Sequence, residues 1–149
     1  MEFKAKVIQI DDLYLIKELW EELNQLHMKD SKFFKEHYAT YTFEKRCAKF
    51  RKMNNEAIRI EVIENDSEII AYCISTVDKE IGEIESLFIK QDYRKHGLGN
   101  LLVNQSIDWL KGNNCKRILV AVANGHESVF DFYMKQGFYP RLTYLELKR

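Results

Sequence analysis

The residues most suited to chemistry are Arg94-Lys95-His96-Gly97-Leu98-Gly99, followed by Asn100. They lie between an apolar, strand-like run, Ile84 to Ile89, and a helix-like run from Leu101 to Leu110. A strand, a glycine-bearing loop and a helix make an anion cradle. The first-turn amides have no helical partner, and the helix dipole favours negative charge beside them. Gly97 and Gly99 carry no Cβ, so a ligand can approach the backbone closely. Arg94 and Lys95 add positive charge at the rim, and a guanidinium can grip phosphate with two donors.

Two phosphate loops fail on spacing. A nucleoside-triphosphate loop needs four residues between its glycines and then Gly-Lys-Ser/Thr, whereas one residue separates Gly97 from Gly99 and Asn100-Leu101 follows. A dinucleotide loop needs a third glycine, and Leu102 stands in its place.

The pattern R-x-x-G-x-G at Arg94–Gly99, after a strand, resembles the pyrophosphate loop of the GNAT family of N-acetyltransferases. Ile84-Glu85-Ser86-Leu87-Phe88-Ile89 is similar to that family's central strand. Phe132-Tyr133-Met134-Lys135-Gln136-Gly137-Phe138 is similar to its F-Y-x-x-x-G-F signature, and the gap of about 40 residues between loop and tyrosine also suits it. The matches run from about Ile81 to Arg141.

The resemblance implies acetyl-CoA as cofactor, with CoA as product. The pyrophosphate would meet the amides of Lys95, His96, Gly97, Leu98, Gly99 and Asn100. The pantetheine arm would pair like an added strand with the main chain of Leu87, Phe88 and Ile89. Arg94 would either orient the loop or touch phosphate, and Lys135 or Arg141 would reach the 3′-phosphate. Tyr133 would donate its proton to the departing thiolate; a tyrosine hydroxyl has an ordinary pKa of about 10. A protonated amine has no lone pair, so a base is also required. Glu85 and Glu83 are the candidates, on one face of a regular strand, although a bulge would change that parity. The family's second signature carries an asparagine where this chain has His126. Either His126 or the nearby Asn124 would then hold the pantetheine arm, and an imidazole also titrates near neutral pH. The aromatic group Phe33, Phe34, His37, Tyr38, Tyr41 and Phe43 falls where the family builds its acceptor wall and often a dimer contact. Core packing explains such a group more often than recognition does. A homodimer is expected from the resemblance alone.

The implied reaction is acetyl transfer to a primary amine by direct attack in a ternary complex, since no cysteine sits where an acyl-enzyme would form. Two glutamates near the reaction centre point to a small cationic amine. Protein lysines or N-termini are the alternative substrates, and a non-catalytic CoA-binding sensor is the alternative class.

Composition sets the outer limits. The 149 residues are the length of one domain, read as spanning 1–149, and 46% hydrophobic with 13% aromatic content is enough for a core. The 23 basic and 23 acidic residues balance, which argues against a nucleic-acid partner. No apolar run is long enough for a membrane span, and the N-terminus lacks the apolar core of a secretion signal. Cys47, Cys73 and Cys115 show no metal-ligand spacing and suit a reducing cytoplasm.

The elements that must position these residues follow from periodicity. Lys4–Ile10 reads as a strand, and Asp11 or Asp12 as the cap of a helix carrying Leu13, Ile16, Trp20, Leu23 and Leu26. Thr42 caps a helix to about Met53. Ile58–Ile63, Glu68–Val77, Ile81–Ile89 and Arg117–Val122 read as strands, Gly97–Gly112 and Ser128–Gln136 as helices. Gly137 suits a left-handed helix stop. Phe138–Lys148 reads as one or two closing strands. The expected fold is α/β (α+β): a mixed, mostly antiparallel sheet of about six to seven strands, splayed at the cofactor site and flanked by about four helices.

Overall fold

Alternating apolar residues in the middle of the chain build a sheet of five strands in the order β1-β2-β3-β4-β5. They are β1 (Lys4–Ile8), β2 (Ile58–Asn65), β3 (Glu68–Asp78), β4 (Ile81–Ile89) and β5 (Arg117–Val120). The structure is a computed structural model that describes residues 2–149. Strands β1 to β4 are antiparallel, and β5 runs parallel to β4. The β2–β3 hairpin turns through Asp66 and Ser67, both at positive φ, which matches the twist of the paired strands.

Among the described residues, five α-helices flank the sheet: α1 (Lys17–Asp30), α2 (Lys35–Thr40), α3 (Phe43–Arg51), α4 (Leu98–Gly112) and α5 (Phe130–Lys135). Thr42 accepts the amide of Lys45 at 3.1 Å and so caps α3 as expected. Asp11 and Asp12 do not cap an α-helix. They open a 3-10 segment over Ile10–Ile16. Leu13 and Ile16, three apart and fully buried, stack on one side of its three-residue turn.

The sheet has an apolar core on each face. On one, Leu13, Trp20, Phe43 and Phe50 pack with Tyr72, Ile74 and Phe88, so α1 and α3 cover this side. On the other, α4 brings Leu98, Leu102, Val103 and Leu110 against Cys73 and Ile84. Burying an aliphatic side chain of this size is worth about 1.5–3 kcal/mol, which anchors the strand carrying the candidate site.

The strand count is lower than the six to seven expected. Beyond Phe138 the chain forms no strand, and Leu142, Tyr144, Leu145 and Leu147 are all exposed. A strand exists only where a neighbour receives its backbone bonds, and among the described residues this segment has none. Ala121 and Val122 likewise fall outside β5. No helix is long and apolar enough to cross a membrane among the described residues.

Candidate active site

Strand β4 changes character at Glu85. Ile74 faces Ser86 on β4, yet the next residue, Ser75, faces Ile84, so Glu85 is an extra residue. This is a β-bulge. Gly82 and Ile84 pack towards α4, whereas Glu83, Glu85 and then Ser86 turn towards α3. On its other edge β4 pairs with β5 only from Ile81 to Ile84. From Glu85 to Ile89 that edge has no strand beside it. The expected splay is present, and the main chain of Leu87, Phe88 and Ile89 borders it.

The loop after β4 leads into the gap. A 3-10 turn at Gln91–Tyr93 ends in Lys95 at φ 67 and Gly97 at φ 76. Gly97 adopts a left-handed conformation that any side chain would strain, and a Cβ there would meet only open space. Among the described residues, the amides of Lys95 to Asn100 have no protein acceptor; the first helical bond is Leu101 N–H to the Gly97 carbonyl. Three of these amides belong to the loop and its cap, Lys95, His96 and Gly97, and three to the first turn of the 15-residue α4. The cradle fits a diphosphate. Arg94 donates to the Ile89 carbonyl at 2.9 Å and lies over the Phe88 ring, which ties loop to strand. The Asn100 side chain accepts from Gln136, joining the start of α4 to the end of α5.

Tyr133 lies on the α4 side, edge-on to Phe132 and Phe138. Its hydroxyl has no hydrogen-bond partner among the described residues. Burial, with Cys73 nearby, pushes its pKa well above the ordinary tyrosine value. The group therefore stays protonated and keeps its donor free.

The two carboxylates differ sharply. Glu85 is 4% exposed at its side chain and is held by Lys49 at 2.8 Å and Arg46 at 3.3 Å. Thr76 donates a further bond at 2.6 Å. Burial pushes Glu85 up, but the bonds from Lys49 and Thr76 and the two cationic charges outweigh it and hold the carboxyl below its ordinary value. Arg46 also donates to the Glu85 carbonyl at 2.7 Å, satisfying the backbone at the bulge. Glu83 has no ion-pair or hydrogen-bond partner among the described residues. Burial first, and the charge of Glu85 second, push its pKa above the usual carboxylate value, against Lys49 and Arg46. Both glutamates line a cleft of about 440 Å³ with Lys49, Thr76, Asp78 and Ile81.

The far bank of the gap is the loop after β5. His126 pairs with Asp30 of α1 at 3.0 Å and lies tilted against His27, with 4.4 Å between ring centroids. A Cβ on Gly125, at φ 101, would collide with the Asp30 carbonyl oxygen. Burial, and then the neighbouring His126, lower the His27 pKa to about 4, against Asp30. Asn124 is occupied locally, donating to Glu127 at 3.1 Å. Lys135 is exposed at the end of α5. Of the aromatic group, Phe43 is core at 2% exposure, while Tyr38 and Tyr41 line a second cleft between α1 and α2 with Trp20 and Asn24.

Arg46, Lys49 and Thr76 were not legible as site residues. Their one signal is that Arg46 and Lys49 are three apart on α3 and share a face. Nothing in the sequence says that this face meets Glu85, 36 residues on.

Comparison with known proteins agrees with this architecture. Residues 20–138 match the family model described as "Acetyltransferase (GNAT) family". A GCN5-related N-acetyltransferase from Ralstonia eutropha has the same fold, with a TM-score of 0.79 at 15% identity over 99% of each chain. The PaiA N-acetyltransferase of Thermoplasma acidophilum, solved in complex with coenzyme A, gives 0.72 at 19% identity, over 96% of this chain and 93% of that one. An uncharacterized N-acetyltransferase of Methanocaldococcus jannaschii is 30% identical over 66 residues, 44% of this chain and 29% of that protein. The matched stretches span only about a third of the curated relatives. The fold is the one shared by these solved N-acetyltransferase structures. The chain belongs to the GNAT family.

Proposed function

We propose that this protein transfers an acetyl group from acetyl-CoA to a primary amine of a small cationic molecule, in one ternary complex. The observation that carries this reading is the loss of a β4 partner from Glu85 onward, followed by a loop whose amides, Lys95 to Asn100, have no acceptor among the described residues. A free strand edge takes an amide-bearing arm, and the amide cluster takes its diphosphate. Acetyl-CoA supplies an activated acyl carbon and a thiol leaving group.

The chain's own groups do the rest. The base takes one proton from the ammonium, the amine nitrogen attacks the thioester carbon, the C–S bond breaks, Tyr133 passes its proton to the sulfur, and the proton shed by the new amide nitrogen restores the hydroxyl. The raised pKa of Tyr133 keeps the hydroxyl protonated, as a hydrogen-bond donor to that sulfur. The geometry favours Glu83 as the base, since it is half-buried, unpaired and raised in pKa. Glu85 is committed to Lys49, Arg46 and Thr76, which makes it a poor acceptor of a further proton and a good fixture for the bulge. The cleft supports a cationic acceptor. Asp78 and Glu83 have no cation of their own there, and Lys49 is taken by Glu85.

Calorimetry with CoA, and thiol release from acetyl-CoA with a panel of amines, test the reading. Expected results are CoA binding and turnover with polyamine- or aminoglycoside-type amines. Binding without turnover on any amine would leave a sensor module, and a preference for lysine peptides would replace the small-amine reading. Gly97→Trp fills the cradle without touching the core and abolishes CoA binding; normal affinity in that variant contradicts the loop assignment.

A further inference from the structure

The loop after β4 does not hold its own shape. From Lys95 to Asn100 no amide donates to protein among the described residues. Lys95 sits at φ 67, a left-handed conformation that a residue with a Cβ keeps only where its surroundings hold it. Side chains must therefore fix the loop. Arg94 ties its start to β4, and the bond between Asn100 and Gln136 ties its end to α5. Neither holds the stretch from Lys95 to Gly97.

One ring does reach that stretch. Phe3, half-buried just before β1, packs against the core on the α4 face. It stands edge-on to Tyr93, with 6.2 Å between centroids and 81° between planes. It also meets His96, at 5.6 Å and a tilt of 55°. Both geometries are attractive for aromatic rings. Tyr93 is steadied from a second direction, because buried Asn65 at the end of β2 donates to its hydroxyl at 3.4 Å. Phe3 thus bridges the last residue of the 3-10 turn and the residue between the two left-handed positions, Lys95 and Gly97. A ring needed only to fill the core would meet Tyr93 alone. His96 is exposed, and its ring has no hydrogen-bond partner among the described residues. Phe3 also lies outside residues 20–138, the part of the chain that matches the family model.

We propose that Phe3 is a positioning residue for the cofactor: wedged between Tyr93 and His96, it holds the Lys95–Gly97 main chain in the shape whose amides receive the diphosphate. A loop fixed beforehand loses less freedom on binding, so the ring acts through affinity. The inference rests on the diphosphate reading of this loop.

Calorimetry with CoA on the full-length protein tests it, with circular dichroism as the check on folding. Phe3→Ala is expected to weaken CoA binding about 10-fold. His96→Ala keeps the amide, changes only an exposed side chain and weakens binding by a similar factor. Because both remove one contact, the double variant binds no more weakly than Phe3→Ala alone. Phe3→Tyr keeps the ring and keeps the affinity. If Phe3→Ala does not fold, Phe3→Leu takes its place in the same cycle. Unchanged affinity in the Phe3 variant overturns the proposal, as do losses that multiply in the double variant or a Phe3→Tyr protein as weak as Phe3→Ala. A wild type that binds no CoA removes the loop reading and this inference together. A wild type and a Phe3→Ala variant that bind CoA equally well remove this inference alone.

Discussion

The two halves of β4 obey different rules. From Ile81 to Ile84 the strand has β3 on one side and β5 on the other, and Ile84 is buried in a core. From Glu85 to Ile89 it keeps β3 but loses β5, and a bulge, an ion cluster and a loop of unpaired amides gather there. Polar backbone left without a partner costs free energy in a closed interior. The second half accepts that situation because its groups face a gap that a ligand can enter. The core anchor, Ile84, lies in the first half, and the strand edge without a partner lies in the second.

Substitutions can separate them. The largest effect is expected for Ile84→Ala, which removes a side chain 2% exposed from the paired half. It lowers unfolding free energy by about 3 kcal/mol in denaturant titration. Loss under 1 kcal/mol would mean that the paired half is not the anchor. Tyr133→Phe, on the α4 side of the sheet, leaves stability nearly unchanged and lowers kcat by about 100-fold with CoA affinity intact. Unaltered kcat would remove the hydroxyl from the reaction.

On the far bank, His27 is neutral when folded, with a pKa of about 4 against an ordinary 6.5. Its folded form binds fewer protons than its unfolded form between those values. Stability therefore falls as pH drops from 6.5 towards 4, by about 2 kcal/mol after allowance for partial exposure, and His27→Gln flattens that slope. A smaller, pH-dependent change is expected from Glu83→Gln, about 10-fold in kcat/KM near neutral pH. The base must be ionised, so wild-type activity climbs as pH rises through a value above the ordinary carboxylate range, and the variant lacks that limb. Glu85→Gln retaining the limb while Glu83→Gln loses it would fix the division of labour between the two.

Much of this was readable from residue order. The bounds of β4, the cap at Thr42 and the left-handed Gly137 depend on local pattern, which the chain displays plainly. The bulge was not readable. Glu85-Ser86 is a polar pair in which either residue can be the extra one, and only the β3 register reveals which. The contrast between Glu83 and Glu85 was equally hidden, because it is made by Lys49 and Arg46 arriving from a distant helix. The closing strands failed for the opposite reason. Leu142–Leu147 has strand-like composition, but a strand is a relation between two segments, and composition describes only one.

The contact between Gly125 and the Asp30 carbonyl sets a limit on drift. Backbone meets backbone there, so no rotamer change relieves a methyl group, and the positive φ adds to the strain. In a saturation library of this loop, codon 125 should return to one amino acid while Asn124 and Glu127 wander, marking the hinge post of the gap by intolerance alone.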